Sequence, residues 1–177
     1  MHSFGYICDR NYYKQLGEIT DNLEKLPRSG SILIGHCRLA TFGDISEVDS
    51  QPFYDGITGV AHNGNIYNHN ELIKQYGLKL MSQCDSEVLL HLSNLQADIN
   101  GCLNALNLIS ISPGAFLFLV GDVVVAATRR LPLWETVTHE GTYLCSVKLN
   151  DASVRLMDNY AYIYSVNGLQ DKQEIIA

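Results

Sequence analysis

The sequence predicts an α+β domain built in layers. β-rich runs sit toward both ends of the chain, and helical periodicity occupies the middle. In addition, 177 residues at 46% hydrophobic content suffice for one sizeable core but not for two large ones. Neither an internal repeat nor a low-complexity linker divides the chain, so residues 1–177 are expected to form one domain with a polar tail from about residue 170.

In chain order, residues 4–8 read as an opening strand. Tyr13, Leu16, Ile19, Leu23 and Leu26 then recur at three- and four-residue spacing, the pattern of one apolar helix face, and predict a first helix. Residues 31–36 form a β-rich run leading into Arg38, and residues 58–62 form another that ends at Asn63-Gly64, a turn dipeptide suited to positive φ. Asn68 with Glu71 three residues on resembles a capping box, opening a helix that Gly77 can close. A further helix opens at Asp85, and Ile99, Cys102, Leu103, Leu106 and Ile109 continue at helical spacing. Residues 115–120 and 123–128 predict a hairpin around Gly121-Asp122, and later strands are expected at 142–147, 153–157 and 160–166.

Charge and cysteine usage exclude several function classes. Twelve basic against nineteen acidic residues give a net charge of −7, and Arg129-Arg130 is an isolated basic pair, so no nucleic-acid partner is expected. The five cysteines are odd in number and never spaced C-x-x-C, which argues against a disulfide framework or a structural zinc site and fits a reducing cytoplasm. The longest apolar run, 115–120, falls well short of the ~20 residues of a membrane span, and no signal-peptide pattern opens the chain. A soluble, cytoplasmic protein without cofactor is expected. His36 and His62 lack further ligands at metal-binding spacing and read as buried, hydrogen-bonded histidines.

The chemistry-bearing residues fall in three ordered motifs. They are Gly35-His36-Cys37-Arg38-Leu39-Ala40-Thr41-Phe42-Gly43, Ala61-His62-Asn63-Gly64-Asn65 and Cys84-Asp85-Ser86-Glu87. Taken singly, Arg38 reads as a surface or ion-paired residue, Asn63-Gly64 as a turn and Asp85 as a helix cap. As an ordered set, together with Phe4-Gly5-Tyr6, they resemble the glutaminase domain of class II glutamine amidotransferases. Gln51-Pro52-Phe53-Tyr54 and the pattern from Ser82 to Glu87 bring the match nearest the amidophosphoribosyltransferase branch, with the glucosamine-6-phosphate synthase branch next. The resemblance implies the four-layer αββα sandwich of the N-terminal-nucleophile hydrolases, which periodicity alone does not select. It also implies roles. Asn63 and Gly64 would form the oxyanion hole, Arg38 would pair with the substrate α-carboxylate, Asp85 would take the α-ammonium, and Thr41 and Phe42 would line the pocket through their backbone.

The departures from that family are as informative. Aligned on Phe4-Gly5-Tyr6, the nucleophilic cysteine position carries Met1 and the following glycine is His2. A thioether has no ionisable proton and cannot become the attacking thiolate. Leu39 stands where an aromatic residue often follows the arginine, Val147 where an acidic residue follows Ser146, and Arg129-Arg130-Leu131-Pro132-Leu133 where Arg-Asp precedes Pro-Leu. Cys37 is expected to face the core if Arg38 faces the pocket, because strand neighbours alternate. Ser3 shares the face of residue 1 but has no base that the sequence reveals.

The expectation is therefore a glutaminase-like domain without hydrolysis that keeps a pocket for glutamine or a related small amino acid and acts as a ligand sensor or on a protein partner. An active glutaminase subunit passing ammonia to a separate synthase, and a pure interaction scaffold, are the alternatives.

Overall fold

A computed structural model describes residues 2–39 and 46–176, with Leu39 described by its backbone alone. The chain opens with a hairpin, β1 (His2–Cys8) and β2 (Asn11–Leu16), turned by Asp9 and Arg10 at positive φ. Two 3₁₀ turns, Ile19–Asp21 and Leu23–Lys25, follow, and then β3 (Leu33–Leu39), β4 (Phe53–Tyr54) and β5 (Thr58–Gly64). The central helices are α1 (His69–Tyr76), α2 (Glu87–Ser93) and α3 (Ile99–Leu108). The chain continues through β6 (Gly114–Val120), β7 (Val123–Arg129), β8 (Trp134–Val137) and β9 (Thr142–Cys145). It finishes with β10 (Val154–Arg155), β11 (Tyr160–Ser165) and β12 (Gly168–Glu174).

These strands form three sheets, with orders β2-β1-β3, β10-β8-β9 and β12-β11-β7-β6-β5-β4, and every named strand pairing is antiparallel. Strand alternation gives the six-stranded sheet two apolar faces. One face carries Val60, Phe116, Phe118, Val125 and Ile163, which pack with Leu72, Val88, Leu89 and Leu106 of the helices into the main core. The other receives the first sheet through Ile7, Ile34 and Leu119. Gly59 permits that approach, because a Cβ there would stand 2.3 Å from Ile7 Cδ1.

The outer side of the first sheet is covered by the 3₁₀ segment. The Tyr6 hydroxyl donates to the Lys25 carbonyl (2.7 Å) and Gln15 Nε2 donates to Asn22 Oδ1 (3.1 Å). The layer order is thus helix, sheet, sheet and a thin helical cover. This corrects the expectation of a first α-helix through Tyr13 and Leu26. Tyr13 and Leu16 lie on β2, where pairing with Tyr6 and Ser3 of β1 satisfies their backbone, and Gly17 at φ +116° ends the run before the two short turns. Helical spacing of apolar residues does not compete with a hairpin partner already in place.

Elsewhere the expected hairpin of β6 and β7, the α3 pattern and the closing role of Gly77 at φ +62° all appear. The capping box does not, since the Asn68 side chain donates to the Leu108 carbonyl instead (2.8 Å). The polar stretch from 170 is no tail. It lies in edge strand β12, paired with β11, where polar side chains meet solvent on an outer edge.

Candidate functional site

Arg38 stands one residue before the end of β3, and Asn63 and Gly64 close β5, so the strand termini deliver three of the predicted residues to one place. Asp85 arrives from the loop before α2. All four line one cavity of about 890 Å³, together with Gln51 and His62.

The half-buried Arg38 donates from Nη1 to the Asp49 carbonyl (2.9 Å), and among the described residues no carboxylate lies within ion-pair distance of it. The Asp49 carboxylate instead accepts from the Gln83 backbone N–H (2.8 Å) and the Ser46 hydroxyl (2.6 Å), tying the segment beside Arg38 to the loop that carries Asp85. A guanidinium with spare donors in a concave site is suited to a carboxylate ligand.

Asp85 is positioned from the opposite side. Its Oδ2 accepts from the Ile66 N–H (2.6 Å), and its Oδ1 is within 3.4 Å of the Ser86 hydroxyl. Ser86 is fixed in turn by the Nδ1 of buried His62 (2.9 Å) and by Gln51 Nε2 (3.3 Å). With Ser86 donating to Asp85, its oxygen accepts from His62, which places the histidine proton on Nδ1. Gln51 also spans both backbone groups of His62, accepting from its N–H (2.7 Å) and donating to its carbonyl (3.0 Å), much as one more residue of β4 would. The His62 ring lies flat on Phe116, with centroids 4.8 Å apart.

Burial sets the charge of the two histidines. Desolvation holds His62 down to about 4, against the upward pull of Asp85 and with a further push down from His36. Desolvation, then the Arg38 charge, holds His36 to about 4 as well. Both are neutral near pH 7. The expectation of hydrogen-bonded histidines holds for His62 through Nδ1, while its Nε2 and the Nδ1 of His36 have no partner among the described residues.

Gly64 has φ +148°, and a Cβ there would meet the Pro113 carbonyl at 2.4 Å and His62 Nε2 at 2.7 Å, so no other residue fits this end of β5. Met1, Thr41 and Phe42 lie outside the described residues. Among the described residues no three His, Cys, Asp or Glu side chains converge as metal ligands do.

Cys37 corrects another expectation. It does alternate with Arg38, but the face opposite Arg38 is not the core. Ile34 is the buried neighbour on the Arg38 side, whereas Cys37 is exposed and lines the cavity from the outer side of β3. Val147 also lines the cavity and is exposed, so an apolar group stands where the resemblance calls for an acid. Sequence reading gave no individual role to Gln51, Asp49, Ser86 or Glu87. Glu87 is buried at 4% exposure and accepts from the N–H groups of Met81 (2.8 Å) and Ser82 (2.7 Å), which anchors the loop ahead of Asp85. Burial alone would raise its pKa; these hydrogen bonds, with those from the Ser82 hydroxyl and His91, outweigh burial and hold it below the ordinary value. Only their hydrogen-bond partners, backbone groups for Asp49 and Glu87, side chains for Ser86 and both for Gln51, identify these roles, and no local pattern encodes them.

Residues 20–122 match the family described as Glutamine amidotransferase domain, and the chain belongs to that family, as a class II member. Among curated proteins it is similar to the glutamine–fructose-6-phosphate aminotransferase (isomerizing) of Rhizobium leguminosarum bv. viciae, 32% identical over 121 residues, covering 66% of this chain and 20% of that protein. The enzyme of the same name from Clostridium acetobutylicum is 31% identical over 142 residues, covering 75% of this chain and 23% of that one. The chain thus spans about a fifth of the length of these relatives. Among solved structures, glutamine phosphoribosylpyrophosphate amidotransferase from B. subtilis superposes with a TM-score of 0.77 at 23% identity, over 98% of this chain and 42% of that one. A glutamine aminotransferase class-II domain protein from Silicibacter pomeroyi gives 0.72 at 17% identity, over 99% and 92%. These likenesses show the fold, the αββα sandwich of the N-terminal-nucleophile hydrolases.

Proposed function

We propose that this class II glutamine amidotransferase-like domain has lost glutamine hydrolysis, keeps a pocket for glutamine or a related small amino acid, and acts as a ligand sensor or on a protein partner. The observation that carries the reading is a contrast. Arg38 and Asp85 line one cavity with Asn63-Gly64, whereas the position aligned with the nucleophile is Met1. In this reading Arg38 holds the α-carboxylate, Asp85 the α-ammonium, Thr41 and Phe42 contribute backbone, and Asn63 with Gly64 faces the carboxamide. Charges of opposite sign at two walls of one cavity suit the two charges of an α-amino acid.

Hydrolysis requires a nucleophile that can ionise, and neither Cys37 nor Cys84, which line the cavity, is activated to replace it. Burial raises the pKa of Cys84 and of Cys37, the reverse of an activated thiol. We further place the protein in the cytoplasm, supported by five free cysteines, and read residues 1–177 as one domain, supported by a family match and structural likenesses that run through this stretch. The test is a glutamate-release assay on protein whose N-terminus has been established by intact mass. Glutamate release at background level is expected. Turnover, or labelling of residue 1 by a glutamine-mimicking electrophile, would instead establish an active glutaminase subunit.

A further inference from the structure

One face of β2 holds the segment that leads into β4. Tyr12 and Lys14, two residues apart, project from the same side of the strand. The Tyr12 hydroxyl donates to the Pro52 carbonyl (3.0 Å), and Lys14 Nζ donates to the carbonyls of Val48 and Ser50 (both 3.3 Å). The carbonyls of Val48, Ser50 and Pro52 are thus bound from β2, whereas Asp49 and Gln51 between them meet residues of the cavity. The Asp49 carbonyl accepts from Arg38, and Gln51 bridges His62 and Ser86. Gly5 makes room for this crossing. It pairs with Lys14 across the hairpin, and a Cβ there would stand 2.6 Å from the Gln51 carbonyl oxygen and 2.9 Å from Lys14 Cβ.

We propose that Lys14 is a positioning residue for Arg38: by fixing the carbonyls on either side of Asp49, it holds the Asp49 carbonyl that aims the guanidinium at a ligand carboxylate. This rests on the reading of the cavity as an α-amino-acid pocket.

Lys14 suits the task by place and by chemistry. It is half-buried, and its ammonium lies 5.6 Å from the Phe53 ring centroid and 5.7 Å from that of Tyr12. Among the described residues no carboxylate stands within ion-pair distance of it, so its donors serve the two carbonyls. Burial lowers its pKa against the upward pull of Glu47, Glu87 and Asp49, carboxylates of the 46–50 turn and of α2. The turn has few other ties. Asp49 N–H and Ser50 N–H donate within it, to the carbonyls of Ser46 and Glu47, and the Asp49 carboxylate reaches out to the Gln83 N–H. With the flanking carbonyls released, the Asp49 carbonyl can turn and the guanidinium loses its anchor. A guanidinium already held in place gives up less freedom on binding a carboxylate than one that samples several orientations.

The test titrates the whole chain with glutamine and with L-glutaminol, in which a hydroxymethyl group replaces the α-carboxylate, followed by NMR so that millimolar affinities are read. Lys14→Met keeps the aliphatic stem against the rings and removes the ammonium. It should weaken glutamine binding about tenfold, part of what a hydrogen bond to a charged group supplies, and leave glutaminol binding unchanged. Lys14→Arg, which again offers donors to two carbonyls, should restore the preference for glutamine to within about threefold of the parent. A merely structural lysine would weaken both ligands alike. Equal losses for the two ligands, or a preference for glutamine that survives in Lys14→Met, would overturn the proposal and leave the glutamine pocket standing. A parent protein that binds no glutamine would overturn the pocket reading and the proposal with it. Should Lys14→Met fail to fold, Lys14→Gln, which retains a shorter neutral donor, decides by the same ratio of affinities.

Discussion

Arg38 brings a charge to the cavity with one backbone carbonyl as partner, and Asp85 brings the opposite charge with its oxygens already half committed to Ile66 and Ser86. If these two hold the ends of an α-amino acid, Arg38→Ala should weaken glutamine binding by roughly 1.5–3 kcal/mol, the range for hydrogen bonds to charged groups, and Asp85→Ala by a similar amount. Calorimetry reads this directly, and unchanged binding in both variants would leave the scaffold reading. The histidines make a second prediction. His36 and His62 have an ordinary value of 6.5 and are held to about 4 in the folded chain. The unfolded chain therefore takes up protons first as pH falls. Their contribution leaves stability unchanged above about 6.5 and erodes it progressively down to about 4, a slope opposite to that of a histidine gaining a carboxylate partner. Urea unfolding at about pH 7 and about pH 5 should show the loss, and His62→Gln should flatten it. Equal midpoints at the two pH values would contradict the buried neutral assignment.

At the scale of elements, the end of β5 is the most constrained point. It must place Asn63 at the cavity while threading past Pro113, Gly114 and the His62 ring. Gly64→Ala introduces a Cβ at φ +148° against a carbonyl 2.4 Å away. Backbone strain of this kind costs on the order of 1–3 kcal/mol, and the clash adds to it. Chemical denaturation should show at least that loss, and a variant as stable as the parent would mean that β5 can shift to relieve it. The motifs around Arg38 and Asn63-Gly64 were legible because strand ends and turn residues are local properties. The first helix was misread because Tyr13 and Leu16 fit a helical stripe and a strand equally well, and the choice belongs to β1, their partner across the hairpin.

At the scale of the molecule, the question is how much of a catalytic arrangement persists around Met1. Val147 lines the cavity where the resemblance calls for an acid, the buried Ser3 Oγ has no partner among the described residues, and the helical cover over the first sheet is two 3₁₀ turns. Converting Met1 to a processed N-terminal cysteine with His2→Gly should therefore restore little glutaminase activity. Reacting atoms must be held about 3–3.5 Å apart, and a misplacement near 1 Å costs on the order of a hundredfold. Steady-state glutamate release decides it. Turnover within tenfold of the median enzyme rate of ~10 s⁻¹ would show that only the nucleophile had been lost.

The order of the motifs, the helical centre and the methionine at position 1 were determined by sequence alone, since each depends on residue identity and short-range spacing. The tertiary structure decided which residues share a space. His62 and Gln51 reach Ser86, and the Ile66 N–H reaches Asp85, only because β5, the segment before β4 and the loop before α2 meet at the cavity. Backbone hydrogen bonding and burial act between segments far apart in the chain. A side chain's role in such a network, and the face on which Cys37 emerges, depend on partners that no local pattern names.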